Sequence, residues 1–234
     1  MTIIAKSDQT SALDLESEDS KPHSKISIKD NSYWNNFYSS KNVPSIPSPF
    51  ATSILSSIDK SKTLVELGCG NGRDAFYFAR NHIRVIALDL SKEAIHINNS
   101  FQHDNVKFVQ ADFTALQQEF KNVGNVYSRF TLHSVDYESY QRTLDWCFQS
   151  LQKNGLLFLE ARTVNDPLCG VGEKGEYKGE WITTHYRRFM EIKDVMEDVQ
   201  QRGFELLHAS ENFTDSWYGD DHAVVYRITA KKIE

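Results

Sequence analysis

Between Leu64 and Asp74 the chain reads Leu-Val-Glu-Leu-Gly-Cys-Gly-Asn-Gly-Arg-Asp. A short apolar run ends at an acidic residue, three glycines then fall at alternate positions, and a helical pattern follows. This order predicts a strand that turns tightly into a helix. Glycines let the backbone approach a ligand closely, and the helix start presents free N–H groups. The spacing is Gly-x-Gly-x-Gly, with Glu66 two residues before Gly68. It differs from the Gly-x-Gly-x-x-Gly of dinucleotide folds, whose third glycine serves helix–strand packing beneath a pyrophosphate.

Two further strand tips carry acids. Ile83–Leu88 reads as a second strand closed by Asp89, with Leu90 next and Ser91 as a helix N-cap. Asp89 lies 17 residues beyond Gly72, near the ~20 expected of a strand–helix–strand unit whose acid accepts two ribose hydroxyls. Val106–Gln110 reads as a third strand, followed by Asp112-Phe113. Taken singly, Asp89 and Asp112 could each be a helix cap; with the glycine turn they form a set.

This set resembles the class I S-adenosylmethionine (SAM) methyltransferases. The resemblance implies that the glycine turn (Glu66, Gly68, Cys69, Gly70, Gly72) lies against the methionine part of SAM. It further implies that Asp89 and Leu90 hold the ribose side, that Asp112 and Phe113 meet the adenine, and that Arg129 contributes from the fourth strand. The implied fold is α/β and Rossmann-like, a seven-stranded, mostly parallel sheet with an antiparallel last strand and helices on both faces.

The element order agrees. Ser48-Pro49 starts a helix, and helices Arg73–Arg80, Ser91–Phe101, Phe113–Phe120, Tyr137–Gln152 and Ile192–Gln201 alternate with strands Asn125–Arg129, Leu156–Glu160, Phe204–Ser210 and Ala223–Lys231. Alternation of this kind gives a parallel sheet covered on both faces. At 234 residues and 40% hydrophobic, the chain can bury a substantial core. The polar stretch over residues 1–30 is expected to be a disordered tail, and residues 31–234 one methyltransferase domain.

Composition narrows the function. No apolar run approaches the ~18 residues of a membrane span, and no secretory signal opens the chain. The three cysteines, Cys69, Cys147 and Cys169, are scattered and odd in number, which suggests reduced thiols in a cytoplasmic protein and no metal cluster. His82, His96 and His103 have no ligand spacing and are expected to face solvent. A net charge of −6 argues against a nucleic-acid surface.

Within this acidic chain, three segments bring Arg and His to the carboxyl edge of the sheet. They are Tyr127–His133, Glu160–Arg162 and Thr183–Phe189. Arg129, Arg162, Arg187 and Arg188 are the expected clamps for an anionic small molecule, because the guanidinium fork matches carboxylate and phosphate. The competing reading is a set of structural pairs with Glu160, Glu173, Glu176 or Glu180. His133 and His185 are candidate substrate contacts and general bases, should the acceptor need to lose a proton. Aromatics at helical spacing in Asn31–Tyr38 place Tyr33 and Trp34 either as an anchor or as a lid over SAM or substrate.

The Tyr-Trp pair, Glu-Leu-Gly-Cys-Gly-Asn-Gly-Arg-Asp, Tyr-Ser-Arg-Phe-Thr-Leu-His and His-Tyr-Arg-Arg-Phe together resemble a bacterial methyltransferase group associated with cell-surface polysaccharide or modified-sugar biosynthesis. The expected reaction is methyl transfer from SAM to an oxygen of a small anionic metabolite or sugar precursor, phosphorylated or carboxylated. The alternatives are methylation of nucleic acid or protein, or a SAM-binding module without catalysis.

Overall fold

The computed structural model describes residues 25–40, 45–116, 120–213, 217–218 and 221–234. Most of the expected N-terminal tail thus lies outside the described residues. Helix α1 (Lys25–Ser40) takes in the aromatic segment, and α2 (Pro49–Ile54) follows. Ser48 caps α2 by accepting from the Ala51 N–H, with Pro49 inside the first turn as the sequence implies. Strand β1 (Thr63–Leu67), α3 (Arg73–Arg80), β2 (Arg84–Asp89), α4 (Lys92–Asn99), β3 (Val106–Gln110) and β4 (Val123–Arg129) come next. Helix α5 (Tyr137–Ser150) leads directly into β5 (Leu151–Arg162).

After β5 the chain makes three short strands, β6 (Glu173–Lys174), β7 (Glu180–Ile182) and β8 (Tyr186–Arg188), which form a small antiparallel sheet. Helix α6 (Ile192–Gln201), β9 (Phe204–Asn212), the β10–β11 pair (Trp217–Tyr218, Asp221–His222) and β12 (Val225–Lys232) complete it. The main sheet has seven strands in the order β3-β2-β1-β4-β5-β12-β9. Strands β1 to β5 run parallel, and β12 is antiparallel to both β5 and β9. This is the expected architecture.

The central strands are buried on both faces, so alternate residues feed two cores. Val65, Val126, Leu157 and Leu159 join Leu144 of α5 and Val199 of α6 on one side. Leu64, Tyr127 and Phe158 join Phe50 of α2 and Phe78 of α3 on the other. Each such large side chain contributes roughly 1.5–3 kcal/mol by leaving water.

One expected helix is corrected. Residues 113–116, at the start of the predicted Phe113–Phe120 helix, form a turn, and residues 117–119 lie outside the described set. Asp112 Oδ1 accepts both the Thr114 N–H (2.9 Å) and the Thr114 hydroxyl (2.6 Å). That local bonding offers the backbone an alternative to the helix.

Candidate functional site

The strand order reverses between β1 and β4, which are neighbours in the sheet but separated in sequence by β2 and β3. Ligands of open α/β sheets lie beyond the carboxyl ends of the strands at this place.

The glycine turn sits there. Gly68 has φ +70° and Gly70 φ +52°, values that disfavour any side chain. A Cβ on Gly68 would also run into Thr131, whose hydroxyl donates to the Leu67 carbonyl (3.0 Å) and ties the β4 tip to the β1 tip. A Cβ on Gly70 would strike the Tyr38 hydroxyl, so α1 rests on the turn through that ring. Asn35 fixes α1 a second time, accepting the Ser91 hydroxyl at the start of α4 (2.7 Å).

Asp89 closes β2 in the expected position. Its Oδ2 accepts the Gly70 N–H and its Oδ1 the Ser91 N–H, each at 2.8 Å. Burial raises its pKa against the pull of those two donors. Glu66 lies deeper, with Oε2 out of solvent and without a hydrogen-bond partner. Burial first, then the Asp74 and Asp89 charges, hold its carboxyl well above the usual range. Gly68, Asp89, Leu90, Asp112 and Phe113 line one cavity of about 100 Å³. Trp34 and Tyr38 of α1 form another wall, and Phe130 and Thr131 a third. Cys69 is buried within the turn, and burial pushes its thiol well up, as befits a wall residue rather than a nucleophile.

The basic residues divide into three environments. Arg129 pairs with buried Glu160 (2.8 Å), which also accepts from Arg227 of β12 (2.7 Å). Arg162 pairs with Asp166 (2.8 Å) and with Asp221. Arg187 donates to the Thr183 hydroxyl (2.7 Å) and has no carboxylate within ion-pair distance among the described residues. Burial and then Arg162 lower its pKa. The structural-pair reading thus holds for Arg129 and Arg162, through Glu160, Asp166 and Asp221, whereas Glu180 accepts from Tyr186 (2.6 Å) and the Tyr177 N–H.

Arg188 does not join this group. Neighbouring residues on a strand point to opposite faces, so β8 sends Arg187 and Arg188 apart. The Arg188 guanidinium lies over Tyr140 (4.3 Å) and Tyr137 (5.5 Å) and lines a different cavity of about 250 Å³ between α5 and α6.

His133 and His185 do converge with Arg162 and Arg187. His133 is 3% exposed and its Nδ1 is without a hydrogen-bond partner. Burial, then Arg162, Arg187, His185 and Arg129, hold its pKa well below the ordinary value. Burial, Arg187 and Arg162 bring His185 down to about 3. Both rings are therefore neutral near pH 7. The His185 ring packs against Tyr33 (4.4 Å) and Trp34 (5.1 Å), so α1 spans from the glycine turn to the basic pocket. His82 and His96 are exposed and His103 half-buried, and no group of metal-ligating side chains occurs among the described residues.

The cavity residues not expected as site residues include Tyr38, Phe130 and Thr131. Only Tyr38 had a visible signal, its place in the aromatic stripe.

Residues 64–155 match a family model described as a methyltransferase domain. Over 131 residues the chain is 29% identical to phosphoethanolamine N-methyltransferase 1 of Triticum aestivum. That match covers 54% of this chain and 25% of the relative, so the chain spans about a quarter of the relative's length. Among solved structures it resembles 1,6-didemethyltoxoflavin-N1-methyltransferase of Burkholderia thailandensis, determined with 1,6-didemethyltoxoflavin and S-adenosylhomocysteine bound. The TM-score is 0.66 at 16% identity, over 92% of this chain and 93% of that one. A SAM-dependent methyltransferase structure from Methanosarcina mazei gives TM-score 0.66 at 16% identity, over 77% and 97%. The fold is that of the SAM-dependent methyltransferase structures, and residues 64–155 match a methyltransferase domain. No helix among the described residues is long and apolar enough to cross a membrane.

Proposed function

We propose that this SAM-dependent methyltransferase chain methylates a small anionic acceptor, a phosphorylated or carboxylated metabolite such as a sugar precursor, on oxygen. The observation that carries the reading is the convergence of His133, His185, Arg162 and Arg187 beside the cofactor cavity, with Arg187 hydrogen-bonded to a hydroxyl and Asp221 and Asp166 acting on it only from beyond ion-pair distance. A half-buried guanidinium without a carboxylate is costly unless an anion completes it.

The residues fit the cofactor. Glu66 Oε2 is an orphaned acceptor suited to an ammonium, Gly70 offers bare backbone, and Asp112 keeps Oδ2 clear of the Thr114 bonds for an amino group. When bound, SAM supplies an electrophilic methyl group on a sulfonium. The protein's task is then to hold the nucleophile in line, and orientation alone supplies roughly 7–11 kcal/mol. A cavity of about 100 Å³ is small beside the roughly 300–1,000 Å³ of ordinary ligand sites. We therefore assign α1 as a lid that swings off Gly70 to admit SAM, then covers the acceptor with Tyr33 and Trp34.

Arg187 orients the acceptor's anion, and Arg162, held by Asp166 and Asp221, adds its charge beside it. Burial is the main cause of the low basicity of His133 and His185, and the anion offsets the arginine charges that add to it. A hydroxyl can then pass its proton to either ring, whereas an ionised oxygen needs positioning alone. The wheat relative's name, a phosphoethanolamine N-methyltransferase, supports a phosphate-bearing acceptor and favours nitrogen as a second reading.

The test is incubation with methyl-labelled SAM and fractionated bacterial metabolites, followed by mass spectrometry. One labelled anionic product is expected, and fragmentation reads whether oxygen or nitrogen carries the methyl. Label found only in neutral or cationic products, in polymer, or nowhere would overturn the proposal.

A further inference from the structure

The residue that separates the two halves of the site is Phe130, and its backbone is unusual. It has φ +54°, in the left-handed region that an aromatic residue rarely occupies. Outliers of this kind persist only where their surroundings over-determine them, and they gather at functional sites. The backbone on either side is pinned. The Phe130 N–H donates to the Glu160 carbonyl (2.9 Å), and the Thr131 hydroxyl reaches the carbonyls of Leu67 and Arg129, both at 3.0 Å.

The turn places the ring among charges. The Arg129 guanidinium carbon lies 4.4 Å from the ring centroid and that of Arg162 5.3 Å. The His133 ring meets it edge-on, at 5.4 Å and 85°. Phe130 also lines the cofactor cavity. A ring face attracts guanidinium groups within about 6 Å. One ring thus lies against two cations that Glu160, Asp166 and Asp221 also hold, and it meets the imidazole next to them edge-on.

We infer that Phe130 is a positioning residue for methyl transfer. Its ring partitions the cofactor cavity from the acceptor pocket and holds Arg129, Arg162 and His133 in register, and the left-handed backbone is retained for that placement. The inference rests on the proposed acceptor pocket.

The test compares Phe130→Gly, Phe130→Leu and Phe130→Tyr in the full chain. Glycine relieves the backbone strain but removes the ring, so its melting temperature should fall by no more than about 3 °C. SAM affinity should stay within about threefold by calorimetry, while acceptor turnover falls at least about thirtyfold. Leucine should lose turnover similarly, and tyrosine, which keeps the ring, should stay within about threefold. A second readout needs no acceptor: titration of the His133 and His185 NMR signals with inorganic phosphate, whose affinity should weaken about tenfold in the glycine variant.

Glycine variant turnover and phosphate affinity both near wild type would overturn the assignment, leaving the pocket itself standing. Parallel loss of melting temperature and turnover, with tyrosine no better than leucine, would reduce Phe130 to a packing residue and overturn it also. A wild-type protein that neither binds phosphate nor methylates an anion would sink the acceptor pocket and this inference together.

Discussion

The tips of β1 to β3 and the tips of β4, β5 and β8 face the same crevice but are built in opposite ways. On the first side, polar groups are met by nearby donors: Asp89 takes the N–H groups of Gly70 and Ser91, and Asp112 the N–H and hydroxyl of Thr114. On the second side, charges confront one another, most of them gathered from far apart in sequence. Glu160 stands between Arg129 and Arg227, and Arg162 between Asp166 and Asp221. Arg187 is left with a hydroxyl, and His133 Nδ1 with no partner. On the proposed function, the difference teaches that the first half is preset, through its dipoles, for one fixed molecule. The second, on the same proposal, is a charge frame that an anionic acceptor would complete.

The largest effect that can break this contrast is on stability. Glu160 is fully buried and serves two guanidiniums, so Glu160→Ala takes the shared carboxylate from both. A loss of about 3–5 kcal/mol in denaturant unfolding is expected. A loss below about 1 kcal/mol would mean that the second half is not organised around this carboxylate.

Next comes the cofactor side. Asp89→Ala removes the acceptor of two backbone N–H groups together with the proposed ribose contact, and SAM affinity should fall at least about a hundredfold by calorimetry. Unchanged affinity would remove Asp89 from the cofactor site. Arg187→Ala should do the reverse: acceptor kcat/KM falls about thirtyfold while SAM affinity stays within about twofold. Equal effects on both ligands would erase the division between the halves.

The smallest effect sharpens the electrostatic side of the comparison. The folded pKa of His185, about 3, lies below its unfolded value of about 6.5. As pH falls below about 6.5, the unfolded chain takes up the proton first, so this group withdraws stability progressively down to about pH 3 and contributes nothing above about pH 7. His185→Gln should therefore reduce the acid loss by about 1–2 kcal/mol at pH 4.5, measured as unfolding free energy against pH. Identical profiles for variant and wild type would show that the ring is not held neutral.

The same division explains what could be read in the sequence. The glycine turn, Asp89 and the Ser48 and Ser91 caps are local signals whose meaning lies within a few residues. Helix α3, strand β3 and helix α6 accordingly have the bounds expected of them. The helix expected at Phe113 failed because Asp112 and Thr114 bond locally, which periodicity does not register. Strand β5 runs on to Arg162 because β12 pairs with it as far as Val225, a partner 60 residues and more away. Which arginine is paired and which is not depends on Glu160, Asp166, Asp221 and Thr183. Asp166 and Thr183 lie four residues from their arginines, but only the folded chain brings Glu160 to Arg129 and Asp221 to Arg162. Composition could announce surplus Arg and His at one sheet edge, but not that β8 would send Arg187 and Arg188 to different cavities. Nor could it reveal Phe130, whose left-handed backbone is imposed by its neighbours.

The most direct measurement is a crystal structure with S-adenosylhomocysteine. Ribose hydroxyls within hydrogen-bond distance of Asp89, adenine between Asp112 and Phe113, and Tyr38 displaced from Gly70 are the expected result. A nucleoside bound elsewhere, or Asp89 and Asp112 both turned away from it, would contradict the site described above.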